Sequence, residues 1–139
     1  MSKKKLIEHI TRDVYCRLGV SKVSGVGVIA IRDIPAGTDP FKNLSKEKQK
    51  ITTLTQTDIN GAPAGVKKLI KDFFGSSKVK TLDVLYAGPN YINISFYMNY
   101  SKKPNVSITK GNKGGYAGFA TNRKIKKGEE LFINYDDYE

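Results

Sequence analysis

The chain has 139 residues, 39% of them hydrophobic and 10% aromatic, enough for one hydrophobic core but not for two. One cysteine (Cys16) and one histidine (His9) exclude an intrachain disulfide and a Cys/His zinc site, so no metal is expected, and any histidine-based triad would rest on His9 alone. The net charge of +11 is unevenly spread: the first 128 residues carry +16, and the last eleven, with five acids and no Lys or Arg, carry −5.

"MSKKKLIEHI" has a basic start but no apolar stretch of signal-peptide length, and no later run approaches a membrane span. The expected location is therefore cytoplasmic or nuclear, with no membrane partner. Residues 1–13 read as a lysine-rich, mobile N-terminal extension. "DVYCRLGVSKVSG" reads as an opening strand and loop, with Cys16 as a small core residue. The segment "GVGVIAI" then leads into "RDIPAGTDPF" (Arg32 to Phe41). Its pattern Arg-x-Ile-x-x-Gly-x-acid-x-Phe returns at identical spacing in "RKIKKGEELF" (Arg123 to Phe132), after "GYAGFAT". Each copy reads as strand, Gly-containing turn, strand. Two copies are too few for a solenoid and suggest two related hairpin-like units near the start and end of one β-rich domain.

A central insert, about 42–85, separates the copies. "SKEKQKITTLTQTDING" is ambiguous: its lysine-rich opening suits a short helical turn and its β-branched continuation leans to strand. "PAGVKKLIKDFFG" places Val66, Leu69, Ile70, Phe73 and Phe74 on one helical face, with Pro63 near the start and Gly75 just past the end, predicting a helix over 63–74. "LDVLYAGPNYINISFYMNY" reads as a strand, a turn around Gly88-Pro89 and a second apolar segment. No composition break marks a second domain. The prediction is a single domain over 1–139, mainly β with at least one helix (α+β), in which the two ends pair.

Three segments carry chemistry: "SGVGVIA", "FYMNYSKKPNV" and "GEELFINYDDYE". The Gly-x-Gly does not precede a helix at dinucleotide-binding spacing, so a Rossmann reading fails. In this order and at these distances the three segments, with the repeated Arg-x-Ile-x-x-Gly unit, resemble the SET-domain protein lysine methyltransferases. That family has a Gly-x-Gly loop, then an Asn-His-Ser stretch followed by Pro-Asn, then a closing Gly-Glu-Glu-Leu segment ending in tyrosine. The resemblance covers about Tyr15 to Tyr138. Lacking flanking zinc segments, the chain looks most like the small single-domain versions found in viruses and bacteria.

The resemblance implies a β-clip of short strands with a C-terminal pseudoknot, S-adenosylmethionine as cofactor, and a lysine-bearing protein substrate, histones among the candidates. Ser24, Gly25, Val26 and Gly27 match the first cofactor loop, where glycines let backbone groups approach closely. Asn99 and Tyr100 match the cofactor-holding Asn-His pair, with tyrosine departing from the family's histidine, while Ser101, Pro104 and Asn105 keep the rest of the motif. Tyr135 matches the catalytic tyrosine, which also borders the cofactor. Ile133 takes the position that influences how many methyl groups are added, and without a hydroxyl to hold water it should permit further methylation. The chemistry suits these residue types. In-line methyl transfer chiefly requires alignment of two bound partners. Deprotonating a lysine of ordinary pKa near 10.4 costs about 4 to 5 kcal/mol at neutral pH, and desolvation beside a sulfonium lowers that cost.

The acidic tail suggests a landing surface for a basic peptide. Glu129, Glu130, Asp136, Asp137 and Glu139 are its candidates, against the simpler reading of a solvated turn and frayed end. Tyr138 is a candidate aromatic wall for the lysine channel; otherwise the substrate or a second subunit, as in a homodimer, would supply one. Two competitors remain open at this point: a catalytically weak module of the same fold that binds a peptide or protein partner, and a basic nucleic-acid-binding domain resting on charge alone.

Overall fold

Ser2 opens the first element. Its hydroxyl accepts a hydrogen bond from the Lys5 amide (3.2 Å), capping a ten-residue helix whose last turn holds His9 and Arg12, favourable at a carbonyl end. In the computed structural model, which describes residues 1–75, 80–109 and 118–135, the elements run α1 (Lys3–Arg12), β1 (Cys16–Val20), β2 (Val26–Ala30), β3 (Ile51–Leu54), α2 (Ala64–Phe74), β4 (Leu82–Leu85), β5 (Asn99–Tyr100), β6 (Val106–Thr109), β7 (Gly118–Thr121) and β8 (Glu130–Ile133). Short 3₁₀ turns occupy Thr57–Ile59, Pro89–Tyr91 and Ile94–Tyr97. The fold is α+β, as predicted, with short strands dominating.

Helix α1 corrects the expectation of a mobile N-terminus. Ser2 as cap and Leu6, Ile7 and Ile10 at helical spacing were the signals for it. It is tied down by its polar side: Arg32 Nη2 donates to Thr11 O (2.9 Å), and His9 Nδ1 lies 2.9 Å from Asn43 Nδ2. Leu6, Ile7 and Ile10 stay exposed.

The described residues fall into two compact units, one of 1–44, 93–109 and 118–135 and the other of 45–75 and 80–92. In the first, β1 and β2 form an antiparallel hairpin with Val20 opposite Val26, and the sheet continues in the order β1-β2-β8-β5. Strand β8 is antiparallel to β2, with Val28 opposite Leu131, and parallel to β5, with Asn99 opposite Phe132 and Tyr100 opposite Ile133. The C-terminal strand is thus held between the first hairpin and the mid-chain asparagine segment, the pseudoknot arrangement. β6 and β7 form a separate antiparallel pair. Val28, Ile34, Val106, Ile125 and Leu131 have no exposed surface and, with Met98 and Ile133, make the centre of the core.

The sequence repeat is a structural repeat as well. Ile34 and Ile125, equivalent residues of the two copies, exchange both backbone hydrogen bonds (2.8 and 2.9 Å). Gly37 N donates to Thr121 O, and its equivalent Gly128 N donates to Ala30 O, both at 2.8 Å; Thr121 N to Thr38 O (2.8 Å) is matched by Ala30 N to Glu129 O (2.9 Å). Both turn glycines have positive φ, +73° and +93°, which explains why the motif demands glycine there. Each copy therefore satisfies the polar backbone of the other about a local two-fold.

The first copy departs from the predicted second strand. After Gly37 it ends in a single bridge, Phe41 to Val14, because Pro40 has no amide to offer a ladder.

In the second unit β3 pairs antiparallel with β4, Ile51 opposite Leu85, and α2 packs against β4. Burial of Ile70 and Phe74 from α2 contributes about 1.5–3 kcal/mol per side chain. The Lys68–Asp72 pair (2.9 Å) marks the exposed face of α2.

Candidate active site

Strand β8 organises the site. Asn105, buried, grips it at the two peptide groups that flank Leu131: Nδ2 donates to Glu130 O (2.9 Å), and Oδ1 accepts from Phe132 N (2.7 Å). The Ser101 amide donates to Ile133 O (3.0 Å), so the loop from Asn99 to Asn105 is fastened to β8 at both ends.

Asn99 extends the same fastening to the β1–β2 loop. Its Nδ2 lies within hydrogen-bond distance of Ser24 O (3.1 Å), Val26 O (3.2 Å) and Glu130 Oε2 (2.9 Å). Its Oδ1 accepts no hydrogen bond from a described residue. The loop has its own internal support: Ser21 N donates to Gly25 O (2.8 Å), and Ser21 Oγ accepts from the amides of Val23 (3.0 Å) and Ser24 (3.1 Å). That hydroxyl donates in turn to the Glu130 carboxylate, 2.7 and 3.0 Å from its two oxygens. Gly25 sits at φ +50°, and a Cβ on Gly27 would fall 2.5 Å from Glu130 Oε2. The two glycines thus have different reasons: a backbone turn at Gly25 and room for a carboxylate at Gly27.

Tyr135 follows β8. Its hydroxyl donates to the Met98 carbonyl, and its ring stacks on that of Tyr100, centroids 6.4 Å apart and planes 16° from parallel. Partial burial pushes the phenol pKa above its ordinary value, so the group is a neutral hydrogen-bond donor at physiological pH. The residue is still about half exposed, as is Tyr100.

Ser24, Gly25, Val26, Gly27, Asn99, Tyr100 and Tyr135 are therefore brought to one end of the sheet. Ile133 is buried in the core cluster. Asp136, Asp137 and Tyr138 lie outside the described residues, as does Glu139. The two remaining acids of the tail are not free to receive a peptide. Glu129 pairs with Arg123 (3.0 Å) and accepts from the Lys126 amide (3.0 Å), contacts that lower its pKa. Glu130 is turned inward onto Ser21 and Asn99. Sequence reasoning missed this role of Glu130, because its partners come from distant segments that only the fold brings beside it.

Cys16 and His9 stand elsewhere, both lining a cavity of about 140 Å³ beneath α1. Burial first, and the charge of Asp39 second, push the Cys16 thiol up to about 12, which removes it as a nucleophile. Among the described residues no group of three or more His, Cys, Asp or Glu is arranged to hold a metal, and no helix is long and apolar enough to cross a membrane.

The sequence profile of the SET domain matches residues 25–136. The chain belongs to the SET-domain family. Among solved structures, the SET-domain fold seen here is similar to the crystal structure of a Plasmodium falciparum protein named as a candidate histone methyltransferase. The TM-score is 0.53 at 16% sequence identity, over 88% of this chain and 93% of that one. No curated protein matches the sequence at a significant level. The profile begins at Gly25 in the β1–β2 loop and ends one residue beyond Tyr135, so it spans both walls of this SET-domain site.

Proposed function

We propose that this SET-domain chain is a protein-lysine N-methyltransferase that moves a methyl group from S-adenosylmethionine to a lysine side chain of a protein substrate, with basic histone-type tails the first class to test. The observation that carries this reading is the convergence, along β8, of the Ser24–Gly27 loop, the Asn99 amide and the Tyr135 phenol.

The residues present fit such a cofactor. Asn99 Oδ1, without a donor among the described residues, is available to an ammonium group, and Gly25 leaves open space where a side chain would project. Ser24, Gly25, Val26, Gly27, Asn99 and Tyr100 would hold it, and when bound it supplies an electrophilic methyl on a sulfonium. The chain's own part is alignment. The Asn105 clamp fixes β8, β8 fixes Tyr135, and Met98 O orients the phenol as a donor that stays protonated. The nucleophilic amine must come from the lysine itself, so the rate should rise from pH 7 to 9 as that amine deprotonates, with no falling limb from Tyr135 in this range.

The test is radiolabelled methyl transfer onto a core histone mixture and onto a lysate, with Tyr135→Phe alongside. Transfer by the wild type and a drop of about a hundredfold in the variant are expected. Absence of transfer to either mixture, or full activity of Tyr135→Phe, would reject the assignment.

A second reading, a peptide-binding module of weak activity, draws on one specific observation: the Tyr135 hydroxyl is already engaged by Met98 O, and Tyr100, standing where the family has histidine, stacks on the same ring. Calorimetric titration separates the two, since a degenerate site gives no binding heat with S-adenosylmethionine.

A further inference from the structure

The Glu130 carboxylate has an unusual setting. It receives hydrogen bonds from two neutral groups, Ser21 Oγ and Asn99 Nδ2, and forms no ion pair with a described Lys or Arg. This stands out in a chain of net charge +11, where neighbouring Glu129 is paired with Arg123. Gly27 leaves it room: a Cβ at residue 27 would lie 2.5 Å from Oε2 and 2.9 Å from Cδ. Through Ser21 it reaches the amides of Val23 and Ser24, and through Asn99 the carbonyls of Ser24 and Val26. One negative charge with no cationic partner among the described residues therefore lies against the backbone of the proposed cofactor loop and shapes it from both ends.

We infer that Glu130 is a positioning residue that makes the Ser24–Gly27 loop selective for charge, favouring a cationic sulfonium donor over the neutral thioether left after methyl transfer. The inference rests on the methyltransferase reading. A sulfonium donor and its thioether product differ at sulfur alone, by one methyl group and one positive charge, and hydrogen bonds to the rest of the molecule would hold them alike. A fixed carboxylate attracts the α-ammonium that both ligands carry, and the sulfonium offers it a second positive charge that the thioether lacks. It would favour loading of the methyl donor and release of the spent product.

The experiment is isothermal titration of the full chain with S-adenosylmethionine and with S-adenosylhomocysteine, in wild type, Glu130→Gln and Ser21→Ala. Glu130→Gln should weaken the sulfonium ligand about tenfold more than the thioether. Ser21→Ala, which loosens the loop and keeps the charge, should weaken both alike, within about twofold. Equal weakening of both ligands by Glu130→Gln would overturn the inference and leave only a loop-shaping role, as would equal discrimination by Ser21→Ala. Should Glu130→Gln fail to fold, salt decides. Raising ionic strength from about 50 to about 500 mM should erode wild-type binding of the sulfonium more than that of the thioether, and parallel behaviour of the two would overturn it. Failure of the wild type to bind either ligand would instead reject the methyltransferase reading.

Discussion

The two copies of the Arg-x-Ile-x-x-Gly unit share a backbone up to the glycine and diverge in the residues after it. In the first, Asp39 Oδ1 accepts from the Phe41 amide two residues on (2.9 Å), and Pro40 between them forecloses a strand. In the second, Glu130 and Leu131 replace Asp39 and Pro40, and the chain continues as β8, pairing on both edges. The Phe132 amide, equivalent to that of Phe41, is satisfied by Asn105 Oδ1 from 27 residues away. The carboxylate with one methylene more reaches the β1–β2 loop instead of its own turn. A structural half and a functional half thus arise from one motif by the loss of a proline and a longer acid.

The sharpest way to break the comparison is at the residues the copies share. Ile34 and Ile125 are both fully buried and exchange backbone hydrogen bonds. Each substitution by alanine should cost about 2–5 kcal/mol in urea-induced unfolding. The two costs should lie within about 1 kcal/mol of each other if the halves are equivalent, and as neighbours they should fail to add in the double variant. A large inequality would show that only one copy supports the core.

Asn105→Ala attacks a feature that the second copy alone possesses. It removes both hydrogen bonds to β8 and leaves the part-buried Glu130 carbonyl and Phe132 amide without their asparagine partner, a loss of about 2–3 kcal/mol. Stability by urea titration should fall by that amount, and binding of S-adenosylmethionine should fall with it, because β8 carries Glu130 and leads to Tyr135. Unchanged stability would mean that the asparagine clamp does not hold the strand.

Much of this was readable in the residues. The repeat, the helix at Ala64–Phe74 and the pairing of the chain's two ends are legible in glycine positions and apolar spacing, and the family resemblance supplied the order of Gly-x-Gly, Asn99 and Tyr135. Three features were not. Helix α1 was passed over because the lysine run at its start outweighed the Ser2 cap and the helical spacing of Leu6, Ile7 and Ile10, residues that the fold leaves exposed. The end of the first copy looked like a strand because the repeat masked Pro40. The partners of Glu130 lie 109 and 31 residues away, and charge counting treats such a group as surface. Non-local satisfaction of a polar side chain leaves no periodic trace in a sequence.

The smallest expected effect concerns Glu129, whose counterpart in the first copy is the neutral Thr38. Arg123 and the Lys126 amide hold the Glu129 carboxyl below its usual value of 4.5, so the folded state binds its proton less readily than the unfolded one. The stabilisation is complete above that value and is lost as pH falls through the lowered pKa. Because the pair is substantially exposed and screened, Glu129→Gln should cost no more than about 0.5 kcal/mol at neutral pH. The glutamine can still accept from the Lys126 amide, so the difference isolates the charge. Thermal melts should therefore show a small gap between wild type and variant at pH 7 that closes in acid, as pH falls from the usual carboxyl value through the lowered one. Thr38→Ala, which removes no titrating group, should instead produce a gap independent of pH over the same interval. A gap at Glu129 that persists in acid would show that the charge is not its source, and would make the two turns alike in kind as well as in shape.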